Sequence, residues 1–178
     1  LKRPIFLSYN WGHNGSTQRI AKALCERILL ATEMPYWLDM DGGMGAGDEF
    51  IGEMRQGVAE CDVVIIMLSD AFCNSPNCLR EFIHTATLGK HVIPLLVPDK
   101  GETRCGPSGW SGLFTLGDPS WWKHAESICT CQDPDKPERK IPWEYLAAFT
   151  PIDLRQEPFT QDGSLHDGSG AENDIIVR

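Results

Sequence analysis

Two rhythms of apolar residues alternate along the chain. Short runs that are apolar throughout, or nearly so, fall at 4–9 (PIFLSY), 63–68 (VVIIML) and 91–97 (HVIPLLV). They are too short for helices and, at 63–68, rich in β-branched residues, so they predict strands buried on both faces. Between them the apolar positions recur at helical spacing. Ile20, Leu24, Ile28 and Ala31 share one face, Ile51, Met54 and Val58 a second, and Leu79, Phe82, Ile83 and Ala86 a third. A further strand is predicted at 36–39 (YWLD) and a fifth at 150–154 (TPIDL). Strand and helix alternate from the start, which predicts a parallel sheet with helices on both faces. The expected fold class is α/β: a flavodoxin-like open sheet of five parallel strands in the order 2-1-3-4-5, with 63–68 as its most buried strand.

The breaks between elements are as legible as the elements. Ser75 followed by Pro76 predicts a helix start, because serine caps the first free amides and proline suits the first helical position. Asp48 is the corresponding cap of the preceding helix, and Gly89 ends the helix that Ser75 begins. Residues 69–77 read as a loop and residues 40–47 (MDGGMGAG) as a flexible glycine-rich one. Beyond Val97 the pattern turns irregular. An insertion over about 99–142 carries Trp110, Trp121 and Trp122, with a short helix near 120–127, and a second follows at 143–149. Residues 1–155 are thus expected to form one domain and 156–178 a polar surface tail.

Composition narrows the function. At 178 residues and 42% hydrophobic content the chain suits one domain with a sizeable core. A net charge of -9 and a pI near 4.9 exclude nucleic-acid backbone binding as its main task. No apolar run is long enough to span a bilayer and no signal peptide is evident, so no membrane contact is expected of this segment. The chain starts LKRPIF, without Met, and reads as a piece of something longer. Seven scattered cysteines, an odd number, point to free thiols in a reducing compartment, and hence to the cytoplasm. Cys129 and Cys131 with Cys105 and His124 lack the paired spacing of a zinc site, so no metal is expected.

Two chemical readings fail on spacing. In the glycine-rich loop Gly43 and Gly45 are followed by Asp48 where a dinucleotide fingerprint needs its third glycine, and no Gly-Lys-Ser/Thr is present. A phospho-acceptor receiver domain would share the topology, but its acidic pair and acceptor Asp are missing: the first strand ends Ser8-Tyr9-Asn10 and the third Leu68-Ser69-Asp70. Glu81 stands out instead. A glutamate on an amphipathic helix is most often a solvated charge. This one lies one turn into the helix behind the carboxyl end of the third strand, beside the switch point between the first and third strands, where open α/β sheets bind ligands. The loops after the first, second and third strands meet there, and the position predicts a side chain at the rim.

These pieces also resemble a known family. Ile5-Phe-Leu-Ser-Tyr9, Trp37-Leu-Asp39 before a glycine-containing loop, Met54-Arg-Gln-Gly-Val58 leading into 61–69 (CDVVIIMLS), Ser75-Pro-Asn-Cys78-Leu-Arg-Glu81 and Val92-Ile-Pro-Leu95 occur in the order found in a Toll/interleukin-receptor (TIR) domain, over about residues 4–98. The resemblance implies that Glu81 is the residue that cleaves the nicotinamide–ribose bond of NAD, as in the catalytic branch of the family. NAD+ is then a substrate, and no cofactor is expected. Partners implied are NAD+ and other TIR domains, through self-association in which a neighbouring subunit helps close the site.

The chemistry suits a single carboxylate. Hydrolysis of an O-glycoside needs a general acid for the leaving oxygen, but nicotinamide leaves as a neutral ring from a cationic pyridinium and needs none. The site must orient the ribose and stabilise an oxocarbenium-like centre, which a carboxylate on the ribose hydroxyls does. Tyr9, Trp11 and Trp37 are the nearest aromatics for stacking on the substrate, although core packing is the better reading for Trp37. Asn10, Asp39, Ser75 and Cys78 complete the candidate binding residues, with Cys78 expected to pack more than to react. The alternative is a non-catalytic adaptor acting through TIR–TIR contacts of the loop at 40–47.

Overall fold

The computed structural model describes residues 4–11, 16–38, 48–97 and 118–154. Five strands, β1 (Ile5–Tyr9), β2 (Tyr36–Trp37), β3 (Val63–Leu68), β4 (His91–Leu96) and β5 (Ile152–Asp153), form one sheet in the order β2-β1-β3-β4-β5. Every pairing is parallel. The helices are α1 (Ser16–Thr32), α2 (Asp48–Glu60), α3 (Asp70–Cys73), α4 (Pro76–Thr87) and α5 (Lys123–Ile128), with a 3-10 helix at Trp143–Ala148.

The period of two along each strand divides the core into two layers. Phe6, Val64, Ile66, Leu68, Val92 and Leu96 face the layer built with α2, α3, α4, α5 and the 3-10 helix. Ile5, Leu7, Tyr9, Ile65, Met67, Ile93 and Leu95 face the other, with Ile20, Leu24 and Ile28 of α1. Both faces of β1, β3 and β4 are therefore covered, which is why these strands read as nearly continuous apolar runs. β3 takes the central place, although its first residue, Val63, is only partly buried while all five residues of β1 are buried.

Asp48, expected to precede α2 as its cap, is instead the first residue of that helix, whereas both ends of α4 fall where predicted. Ser75 caps α4, its hydroxyl accepting the Cys78 amide at 3.5 Å, and Pro76 takes the first helical position. Gly89 follows the helix with φ at 63°, a left-handed conformation that glycine adopts without strain. Residues 69–77 are not all loop: Ser69 caps the one-turn helix α3 by accepting the Phe72 amide at 3.1 Å. Strands β2 and β5 are shorter than predicted. Residues 118–142 hold α5, shifted a few residues from the expected 120–127, and supply Trp121, Ala125 and Ile141 to the same core layer as Phe82. Asp39, the loop at 40–47, residues 99–117 of the insertion and the tail lie outside the described residues.

Cross-links between elements are polar at the edges of this core. Lys90 donates to the carbonyls of Ala59 and Cys61 at 2.7 and 2.6 Å, placing a cation at the carboxyl end of α2, where the helix dipole favours it. Tyr145 of the 3-10 helix donates to the Lys90 carbonyl at 2.5 Å. Asn74, just before the α4 cap, donates to the carbonyls of Asp70 and Ile128 and accepts from the Thr130 amide and hydroxyl. The start of α4 is thus tied both to α3 and to the segment after α5.

Candidate functional site

The site is built from one strand residue and one helix residue. Ser8 is the fourth residue of β1, near the carboxyl end of the strand, and its place in the alternation turns it to the same face as Phe6. Glu81 lies in the second turn of α4, which begins after the Ser75 cap and packs on that face. The Ser8 hydroxyl donates to Glu81 Oε2 across 73 residues of sequence, in a short hydrogen bond. Both side chains are buried, Ser8 at 1% and Glu81 at 8% exposure. One turn on, Thr85 donates its hydroxyl to the Glu81 carbonyl at 2.7 Å, inside the helix.

Burial corrects the sequence reading. The position of Glu81 predicts a side chain at the rim, whose loss the core would not feel; instead the carboxylate is drawn inward against the sheet. A buried carboxylate is costly unless hydrogen-bonded, and Ser8 is one of the donors that meet this demand. Sequence reasoning did not single out Ser8 as a functional residue. The available signal was a lone polar residue inside an apolar strand, in Ile5-Phe-Leu-Ser-Tyr9.

The topology gives the pair its significance. β1 lies beside β3 at the centre of the sheet; the chain leaves β1 for β2 on one side and leaves β3 for β4 on the other. Ser8 belongs to β1, and Glu81 to α4, the second helix after β3. Their hydrogen bond spans the switch point at the carboxyl ends of the strands, the crevice in which open α/β sheets bind ligands.

The other predicted site residues are less closely gathered. Tyr9, next to Ser8, turns to the opposite face and is buried in the core layer of α1. Trp11 is 56% exposed two residues beyond β1, and Asn10 is half-buried between them. Trp37 stacks on Phe6 with ring centroids 4.5 Å apart and 11° between planes, so it packs, as favoured from sequence. Ser75 serves as the helix cap, and Cys78 is a buried member of the α4 core layer. No group of His, Cys, Asp or Glu among the described residues is arranged to hold a metal ion.

Comparison with known proteins bears on the family and the fold. A family model described as TIR domain matches residues 5–121. No curated protein matches the sequence. Among solved structures, the chain is similar to the TIR domains of the activated Roq1 resistosome directly recognizing the pathogen effector XopQ. That match has a TM-score of 0.60 at 18% identity and covers 97% of this chain and 96% of that one. A second match is the TIR domain of the Toll-related receptor TRR-2 from Hydra magnipapillata, with a TM-score of 0.42 and 13% identity over 71% of this chain and 98% of that one.

Proposed function

The chain belongs to the TIR-domain family, and from the buried carboxylate at its switch point we propose that it is an NAD+ glycohydrolase or ADP-ribosyl cyclase. The observation that carries this reading is the Ser8–Glu81 hydrogen bond. It holds a carboxylate in a largely desolvated position at the carboxyl ends of β1 and β3. In such a position a fixed negative charge acts on a developing cation far more strongly than in water.

The reaction follows from that charge. The bond between the nicotinamide nitrogen and C1′ of the ribose breaks, and its electron pair leaves with the ring, which becomes neutral. The positive charge moves to the ribose as an oxocarbenium-like centre, opposite the Glu81 carboxylate. Water then adds at C1′ and gives up a proton, yielding ADP-ribose; attack by a nucleophilic group of the same molecule yields a cyclic product instead. The role of Ser8 is to fix the carboxylate, so that no reorganisation is needed as charge develops. NAD+ is consumed as substrate and no cofactor takes part. Activity is proposed to depend on self-association and to occur in the cytoplasm, in signalling or defence. No helix among the described residues is long and apolar enough to cross a membrane.

A second reading, an adaptor acting through TIR–TIR contacts, is favoured by one observation. Glu81 is only 8% exposed, so its charge also serves to hold α4 on β1. Incubation of concentrated protein with NAD+ and chromatography of the products separates the two. Release of nicotinamide supports the enzyme, and intact NAD+ at concentrations where the protein self-associates supports the adaptor.

A further inference from the structure

Four cations from three separate stretches converge on one cleft beside α4. Arg55 comes from α2, Arg80 from α4, and Lys136 and Arg139 from the turns between α5 and the 3-10 helix; with Asp133 and Asp135 they line a space of about 280 Å³. Four positive charges thus face two negative ones, in a chain whose net charge is -9. His84 also lines the cleft, and burial lowers its pKa, so it adds no charge at neutral pH.

The two acidic groups organise the cleft more than they fill it. Asp133 is buried at 3% exposure and accepts the backbone amides of Asp135 and Lys136 at 2.9 and 3.1 Å, which shapes the turn. Asp135 accepts Arg55 at 3.0 Å and Arg80 at 2.8 Å, and Arg80 also donates to Asn77 at 2.9 Å. A guanidinium has five N–H donors. These bonds use one from Arg55 and two from Arg80, and hold both forks in place. Lys136 and Arg139 are exposed and make no side-chain hydrogen bond or ion pair among the described residues.

We propose that this cleft binds a small phosphate-bearing anion. Fixed guanidinium forks with spare donors, next to two uncommitted cations, match the charge and the multiple acceptor oxygens of a phosphate. A space of about 280 Å³ has room for a phosphate or pyrophosphate group with a small substituent. No Phe, Tyr or Trp lines the cleft, so the phosphate and not a stacked base is what it recognises. The site is separate from the Ser8–Glu81 pair: Arg80 meets the turn at Asp135, whereas its neighbour Glu81 meets β1.

Isothermal titration of the intact chain with inorganic pyrophosphate tests this without any measurement of NAD cleavage. The expected result is saturable binding that weakens at least tenfold in a Lys136→Ala/Arg139→Ala variant and weakens with added salt, with amide shifts at Thr87, Lys136 and Arg139 in NMR spectra. Because pyrophosphate is also part of NAD+, an unchanged dissociation constant in that variant places the binding elsewhere and overturns the proposal. So does the absence of saturable binding, or equal binding of sulfate. Ribose 5-phosphate in place of pyrophosphate identifies the source of the group: tighter binding assigns a sugar phosphate, and weaker binding a free pyrophosphoryl group.

Discussion

Ser8 and Glu81 lie 73 residues apart and share a buried hydrogen bond that joins strand β1 to helix α4. It places a polar contact inside an otherwise apolar layer that includes Phe6, Leu79 and Phe82. Under the proposed function, structure and chemistry meet in this one interaction. Removing the donor leaves a buried carboxylate short of a partner, a cost of about 1–3 kcal/mol.

Ser8→Ala is accordingly expected to lower the melting temperature, by about 2–4 °C per kcal/mol lost for a domain of this size. It should also reduce kcat for NAD cleavage more than it raises KM, with Ser8→Thr restoring part of both. A double-mutant cycle with Glu81→Ala is expected to show a coupling energy of about 0.5–3 kcal/mol. Additive effects would mean that the two side chains act independently.

Two glycines of α2 should respond in opposite directions to the same change. A Cβ on Gly57 would lie 2.9 Å from Phe6 Cε2 and 3.2 Å from Trp37 Cε2, and neither ring can yield easily because they stack on each other. Overpacking of this kind costs about 1–3 kcal/mol, which offsets or exceeds the helical gain from alanine. A Cβ on Gly52 would meet nothing within 4 Å. Gly52→Ala is therefore expected to stabilise by about 0.5–1 kcal/mol. Chemical denaturation of the two variants checks the signs, and a stabilised Gly57→Ala would contradict this packing.

The cysteines should separate by reactivity. Burial pushes the Cys61 thiol up to about 11, against the opposing charge of Lys90, and the thiol donates to the Val58 carbonyl at 3.1 Å. Cys131 is half-buried. At pH 8 iodoacetamide is expected to label Cys131 in the native protein and Cys61 only on unfolding, since the thiolate is the nucleophile. Peptide mass spectrometry reads this directly, and early labelling of Cys61 would contradict its environment.

Acid should loosen the contact between α4 and the turn at Asp135. The hydrogen bond from Arg80 comes first among the causes that hold the Asp135 carboxyl below its ordinary value of 3.8, with Arg55 adding to it. A lowered folded-state pKa contributes stability that is present above 3.8 and is lost as the pH falls through the folded value. The pair is partly exposed, so the contribution is small and screened by salt. Asp135→Asn is expected to flatten the acid limb of the stability curve, and an unchanged limb would remove Asp135 from the account.

Sequence and structure diverge where neither a local signal nor the order of elements informs. The main strands and helices and the Ser75–Pro76 start of α4 were legible because apolar period and cap chemistry are local properties. Parallel pairing followed from the alternation of strand and helix, and the strand order from the flavodoxin-like arrangement that such alternation suits, not from any local signal. The one-turn helix α3 was not legible, since four residues (DAFC) carry no period. Nor were the core roles of Trp121, Ala125 and Ile141, which stand among polar and irregular stretches. The position of Glu81 behind β3 could be read from sequence, but its burial could not. Its hydrogen bond to Ser8 could not be read either, because no spacing rule links a strand residue to a helix residue so distant in the chain.

The central claim is that the Glu81 carboxylate faces the cation that develops when nicotinamide leaves. Glu81→Gln keeps the shape and an acceptor for Ser8 while removing the charge. Exposed Glu53→Gln on α2 serves as the control. The decisive measurement is nicotinamide release from NAD+ by wild-type, Glu81→Gln and Glu53→Gln proteins, each shown to be folded and compared across a range of protein concentrations. The account predicts turnover by wild type and Glu53→Gln that rises per molecule with concentration, and loss of turnover in Glu81→Gln with a smaller effect on substrate binding. Wild-type turnover by folded Glu81→Gln protein, or no turnover by wild type at any concentration, would contradict it.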